Sequence, residues 1–243
     1  MSFKPSSKLF HSDKLTNRRL WEVLPDNSWK GKPCFVIGGG PSLEKFKWKN
    51  LKGHRTIGCN RAYEVMEPTI IFSMDNRFLL WVRSERYGMD AKKRFDETPA
   101  YKVWLTTYPV ALPDDIFIVP VYGNYDKGHT AFTSSMKEGL GHGNSSGYGA
   151  LNLAFVLGAN PIYLLGYDMN HKPQVDERGM ASKKSHWHTG HPMPQYEDTV
   201  IKFRQAFVRA APIIEEAGVK VINLNPNSGL DCFEKRSPES VFN

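Results

Sequence analysis

The sequence predicts an α/β fold, one domain with a mainly parallel sheet and helices on both faces, and three observations carry the prediction. From Pro33 onward, short apolar runs alternate with helix-like segments, the sign of successive βαβ units. Several of those runs end in glycine or in one polar side chain, as strands do when they stop beneath a ligand. The chain has 243 residues, 40% of them hydrophobic, which is enough apolar material for one large core.

The elements follow in order. Residues 1–32 are polar, basic and weakly periodic, and read as an N-terminal arm with one short helix near "NRRLWEVL". The domain then spans 33–243. "CFVIG" is a strand that runs into three glycines, followed by a helix from about Ser42. "RTIGCN" and "TIIFSMD" are strands, separated by a short helix "RAYEVME" and followed by a helix from about Arg77 to Arg86. "YKVWLTT" and "DIFIVPV" are further strands. The Gly-, Ser- and Lys-rich residues 124–143 are long and irregular enough to form a flexible lid. In "NSSGYGALNLAFVLGANPIYLLGYDM", Ser145 or Ser146 caps a helix, Gly158 ends it, and "PIYLLG" is a buried strand. Residues 170–194 form an irregular insert; a long helix with its stop at Gly218, a strand "VKVINLN" and a tail complete the chain. There is no internal repeat and no second-domain boundary.

Bulk properties narrow the function classes. No apolar run reaches the roughly 20 residues of a bilayer span, and the opening residues lack the apolar core of a secretory signal, so a cytoplasmic location is expected. Cys34, Cys59 and Cys232 are few and scattered, as for reduced thiols, not a disulfide framework or a metal knuckle. A net charge of +7 points to anionic partners. The basic residues are dispersed and no nucleic-acid motif accompanies them, so nucleic acid is not expected; a peripheral membrane contact stays open.

The residues with chemical promise sit at strand ends. Gly38, Gly39 and Gly40 let backbone amides approach a ligand, Pro41 suits a first helical turn, and the Ser42 hydroxyl can donate to an anion. A tight structural turn is the plainer reading, because the run matches neither the dinucleotide glycine pattern nor a Walker loop. Asn60 and Asp75 follow the next two strands directly, where either a ligand contact or a turn explains them. Gly166 and Asp168 end a fourth strand, and Ser145, Ser146 and Gly147 offer hydroxyls and free amides at a helix start. His186, His188 and His191 fall within "SHWHTGH", a density that suits metal ligation, a general base or an ordinary surface.

Five segments, "VIGGGPSL", "GCNRAYE", "NSSGYGALNLAFVLGANPIYLLGYDM", "SHWHTGH" and "INLNPNSGLDCF", occur in the order of corresponding segments in the bacterial lipooligosaccharide sialyltransferase family, which the chain resembles. Motility-associated flagellin glycosyltransferases and 6-hydroxymethylpterin diphosphokinase-like proteins share its glycine and Gly-x-Asp segments. The resemblance implies a single Rossmann-like domain with a lid and a nucleotide-sugar donor, CMP-linked in that family, without a metal cofactor. It places Gly38–Ser42, Asn60, Asp75, Ser145, Ser146, Gly147, Gly166, Asp168 and Asn170 around the nucleotide. It makes His191 the general base, leaves Lys172, His171 or His188 to meet the leaving group, and lets Pro226–Ser228 close the pocket. The acceptor would be a glycan or small molecule. Asp75 stands where the family has asparagine, and Asn170 where it has tyrosine. The diphosphokinase relatives imply an alternative, diphosphoryl transfer to a pterin-like alcohol, in which Asp75 and Asp168 hold Mg²⁺ between phosphates; a nucleotide-binding protein without catalysis is the third reading.

Overall fold

Apolar runs buried on both sides become the strands β1 (Cys34–Ile37), β2 (Arg55–Cys59), β3 (Ile70–Ser73), β4 (Tyr101–Thr106), β5 (Ile116–Pro120) and β6 (Ile162–Leu165). They belong to a computed structural model that describes residues 18–106, 112–170, 174–175, 181–182, 186–188 and 197–242. Gln174–Val175 (β7) and Ala181–Ser182 (β8) pair antiparallel as a separate ribbon, and Val221–Asn223 (β9) and Glu234–Lys235 (β10) complete the main sheet. The main sheet has eight strands in the order β10-β9-β6-β1-β2-β3-β4-β5, every pair parallel. The chain therefore builds outward from β1 through β5, then crosses to the other side of β1 to lay down β6. That reversal between β1 and β6, where Ile37 pairs with Leu165, is the topological switch point.

The period of two along the strands sorts side chains between two layers. Val36, Phe72, Val103 and Val119 face α4 (Ser146–Val156) and α5 (Glu197–Glu216), whose Leu151 and Phe207 fill the same core. On the opposite face, Ile71, Trp104, Ile116 and Ile118 pack against Phe78, Val82 and Phe95 of α1 (Asn76–Arg83) and α2 (Met89–Glu97). Beneath β1 and β6 the α-helical cover among the described residues is the four-residue α6 (Glu239–Phe242), whose Phe242 ring stacks on Phe35. Phe35, Ile37 and Leu165 are covered there by Leu43 and Leu51 from two 3-10 turns, Pro41–Leu43 and Trp48–Leu51.

The helix expected from Ser42 is thus replaced by 3-10 turns. Leu43 and Phe46, and then Trp48 and Leu51, are spaced by three, which suits the 3-10 repeat, while the two-residue step between Phe46 and Trp48 breaks an α-helical stripe. "RAYEVME" is likewise a 3-10 turn, Asn60–Glu64.

Two further segments pack against this core. Residues 18–32 of the expected arm are part of the domain: Leu20 and Trp29 are buried, and the amides of Asn27 and Trp29 donate to the carbonyls of Val156 and Leu157 at the end of α4. Residues 124–143, read as a mobile lid, begin with α3 (Tyr125–Thr130) and are docked, with Met136, Leu140 and His142 buried. The side chain of Asn152 holds them, accepting from the amides of Thr133 and Gly141 and donating to the Thr133 carbonyl. No helix among the described residues is long and apolar enough to cross a membrane.

Candidate functional site

At the switch point the turn after β1 and the turn after β6 close on each other. The Gly38 amide donates to Leu165 (2.7 Å) and the Gly40 amide to Gly166 (2.8 Å). Gly166 adopts a left-handed φ of 70° to aim that carbonyl. Asp168, two residues on, accepts the Ser42 amide on Oδ2 (2.8 Å), and on Oδ1 the Ser42 hydroxyl (2.5 Å) and the Asn225 amide (2.8 Å). The close approach that three glycines permit is therefore used by the chain itself. A Cβ on Gly40 would lie 2.6 Å from both the Asp168 carboxylate and the Gly166 carbonyl. Ser42 belongs to a three-residue 3-10 turn, too short for an appreciable helix dipole, and its own amide and hydroxyl are engaged by Asp168.

Segment 186–188 lies over this turn. The Trp187 amide donates to the Gly39 carbonyl (2.9 Å), and a Cβ on Gly39 would stand 2.5 Å from the His186 ring. His186 and His188 have ring centroids 5.3 Å apart, and His188 Nδ1 is 3.5 Å from the Arg61 guanidinium. Arg61 pairs with both oxygens of Glu64 and lies 4.3 Å over the Tyr87 ring. Burial opposes its charge, but the hydrogen bonds and attraction of Glu64 outweigh that and raise its pKa. Asn60 accepts from the Ser73 hydroxyl (2.8 Å), which ties the end of β2 to the end of β3. Asp75 caps α1 by accepting the Arg77 amide and also pairs with the Arg77 guanidinium.

The start of α4 borders the same region. Tyr167 donates to the Gly147 carbonyl (2.8 Å), and its ring would stand 3.0 Å from a Cβ on Gly147. Ser145 and Ser146 are half-buried at the N-terminus of this eleven-residue helix, and neither side chain makes a capping bond. A full α-helix, unlike the turn at Ser42, presents unpaired amides and a positive dipole end.

His142 holds the chain that enters α4. Its Nδ1 accepts the Asn144 amide (2.9 Å), its Nε2 donates to the Tyr125 carbonyl (2.8 Å), and its own carbonyl receives the Ser145 amide. This pattern needs the neutral imidazole. Burial lowers the pKa below the ordinary 6.5, with the Tyr125 carbonyl acting in the other direction. The unfolded chain takes up that proton near the ordinary value and the folded chain only at lower pH, so His142's contribution is complete above the ordinary pKa and declines below it. Melting temperature is expected to fall between about pH 7.5 and about pH 5.5, and His142→Gln should flatten the fall. An unchanged pH slope in that variant would exclude His142 as its source.

Of the residues singled out in the sequence, Gly38, Gly39, Gly40, Pro41, Ser42, Gly166 and Asp168 meet at the switch point; Asn60 and His188 are linked to them through Arg61 and His186. Asn170 donates to the Asn227 carbonyl (2.6 Å), and Ser228 donates to the Tyr167 carbonyl (2.6 Å), so the "PNS" turn underpins Asp168. His191, His171 and Lys172 lie outside the described residues. Asp75 and Asp168 are held by different partners, and among the described residues no three His, Cys, Asp or Glu side chains group as a metal site. Sequence reasoning passed over Arg61 and Asn225. Asn225 carries the same signal as Asn60, a polar residue just after an apolar strand.

No family model and no curated protein matches the chain. Among solved structures, the sialyltransferase CstII from Campylobacter jejuni, in complex with a substrate analogue, cytidine-5'-monophosphate, is similar over 84% of this chain and 84% of its own, with 17% identity and a TM-score of 0.45.

Proposed function

We propose that the chain is a glycosyltransferase that uses a nucleotide-sugar donor, of the CMP-linked kind, and a hydroxyl acceptor on a glycan or small molecule. One observation carries the reading: the switch-point turns, the serines opening α4 and the segment 186–188 share one end of a parallel sheet, where ligands of open α/β sheets sit. The order of the five sequence motifs supports it.

In this reading the amides and the Ser145 and Ser146 hydroxyls at the start of α4 meet the departing phosphate, an electrostatic role realised as charge develops. His191 takes the proton of the acceptor hydroxyl as its oxygen bonds to the anomeric carbon and the carbon–phosphate oxygen bond breaks. His188, beside Arg61, borders the nucleotide in this reading. A magnesium-dependent diphosphoryl transfer would need Asp75 and Asp168 as ligands. Both carboxylates already serve intramolecular donors, which favours glycosyl transfer.

The test is a thermal-shift screen against CMP, UDP, GDP and ATP with and without Mg²⁺, followed by turnover of a CMP-sugar by wild type and His191→Ala. Near 100-fold over Kd, binding adds about 2.7 kcal/mol, or roughly 5–10 °C for a domain of this size. CMP is expected to give that shift without metal, and His191→Ala to keep the shift while losing turnover. A shift with ATP and Mg²⁺ alone, no shift with any nucleotide, or undiminished turnover in His191→Ala would overturn the reading.

A further inference from the structure

The 3-10 turns that replace the expected helix carry an unusual surface. Between Glu44 and Arg55 the sequence reads "EKFKWKNLKGHR", five cations against one carboxylate. Lys45, Lys47, Lys49, Lys52 and Arg55 are all exposed. None of the five forms an ion pair among the described residues, whereas cations elsewhere on the chain, such as Lys92, Lys102 and Lys235, have carboxylate partners. Lys49 lies on the 3-10 turn Trp48–Leu51, which Lys47 and Lys52 flank on either side. A one-sign patch of this kind raises the local concentration of anionic partners.

Two aromatic rings alternate with these lysines. Phe46 and Trp48 are half-buried, 5.2 Å apart between centroids; Trp48 continues to Trp187 at 5.6 Å and Phe46 to Phe242 at 5.8 Å. Trp187 in turn is anchored on Gly39, so the basic band borders the candidate site. Half-buried aromatic rings interleaved with exposed lysines are the composition of a protein face that rests on an anionic bilayer.

We infer that residues 45–55, with Trp187, form a docking surface for an anionic lipid bilayer, which would hold the switch-point site close to the membrane. A nucleic acid is the other polyanion to weigh, and the rings decide against it. Single strands stack on aromatic faces that stand out from a groove, while Phe46 and Trp48 are packed against other rings and the cations lie on a succession of turns. Phosphate headgroups on a plane need only the charge density and a shallow apolar rim. The inference does not depend on the reaction catalysed.

The test is sedimentation of the full chain with phosphatidylcholine vesicles, with and without phosphatidylglycerol, alongside a single-stranded RNA of mixed sequence. Binding is expected to the anionic vesicles alone and to disappear between about 0.1 M and about 1 M salt, as the screening length contracts. Lys47→Gln/Lys49→Gln is expected to lower the partition coefficient roughly tenfold or more, since each basic residue at an anionic surface contributes about 1 kcal/mol. Both side chains are exposed, so the melting temperature should match wild type and separate lost docking from lost folding. Equal binding to neutral vesicles, no vesicle binding, full binding by the double variant, or capture of the RNA in place of the vesicles would each overturn the inference.

Discussion

Gly40→Ala is expected to destabilise the protein by about 3 kcal/mol or more, a fall in melting temperature of roughly 6–12 °C, while Gly39→Ala, one residue earlier, leaves stability near wild type and removes most activity. The difference lies in what each new methyl group meets. At Gly40 it stands 2.6 Å from the Gly166 carbonyl and 2.6 Å from the carboxylate of Asp168. The carbonyl is backbone, fixed by the register of β1 and β6; the carboxylate is fixed by Ser42 and Asn225. Neither can move without opening the switch point. At Gly39 the nearest atom is the ring edge of His186, at 2.5 Å, a side-chain atom outside the sheet and not backbone. Moving it displaces His186 and strains the Trp187-to-Gly39 hydrogen bond, so segment 186–188 loses its seat while the sheet stays intact. A shift of about 1 Å in a positioned group can cost on the order of 100-fold in rate. Melting curves and CMP-sugar turnover on both variants separate the two effects. Equal stability losses at the two glycines would show that the clash argument is wrong, and full turnover in Gly39→Ala would remove segment 186–188 from the reaction.

The same pair of turns shows why part of this molecule was legible in the sequence and part was not. Every strand of the large sheet from β1 to β6 announces itself as an apolar run, because a parallel strand is buried on both faces and needs no pairing partner to be recognised. The layer beneath β1 was misread because "PSLEKFKWKNL" contains good helix formers, and the three-residue spacing of Leu43 and Phe46 differs from an α-helical pattern by a single position. Residues 18–32 look polar overall, and two buried side chains, Leu20 and Trp29, are too few to register as periodicity. Convergence at the switch point follows from strand order, so Gly38–Gly40 and Gly166 could be placed together in advance. The Asp168 clasp could not. Ser42 is 126 residues away and Asn225 57, and a hydrogen bond across such separations leaves no local trace. Arg61 was hidden for another reason: on a helix-like stretch beside Glu64 it reads as an ordinary i,i+3 surface pair, whereas its side chain is only 14% exposed and reaches His188.

Removal of the Asp168 carboxylate tests whether the clasp or a ligand is its chief occupant. Asp168 is 7% exposed and serves three donors, so Asp168→Ala leaves the buried Asn225 amide without an acceptor and frees the Ser42 amide and hydroxyl. Hydrogen bonds to a charged group contribute about 1.5–3 kcal/mol each, and water can reach exposed Ser42 to recover part of the loss, so a net cost of about 3 kcal/mol is expected. Asp168→Asn should fall between, because its amide oxygen can still accept from Asn225 and the Ser42 hydroxyl but its NH2 then faces the Ser42 amide, a donor toward a donor. Ser42→Ala removes only the hydroxyl bond and should cost about 1 kcal/mol. Combined with Asp168→Ala it should add little, a coupling of about 1 kcal/mol in the double-mutant cycle, since both substitutions delete the same contact. Denaturant melts of the four proteins give that coupling directly. If Asp168→Ala melts like wild type, the carboxylate does not hold the turn and is released for a ligand; if it melts low but still gains stability from CMP, Asp168 shapes the site without touching the nucleotide.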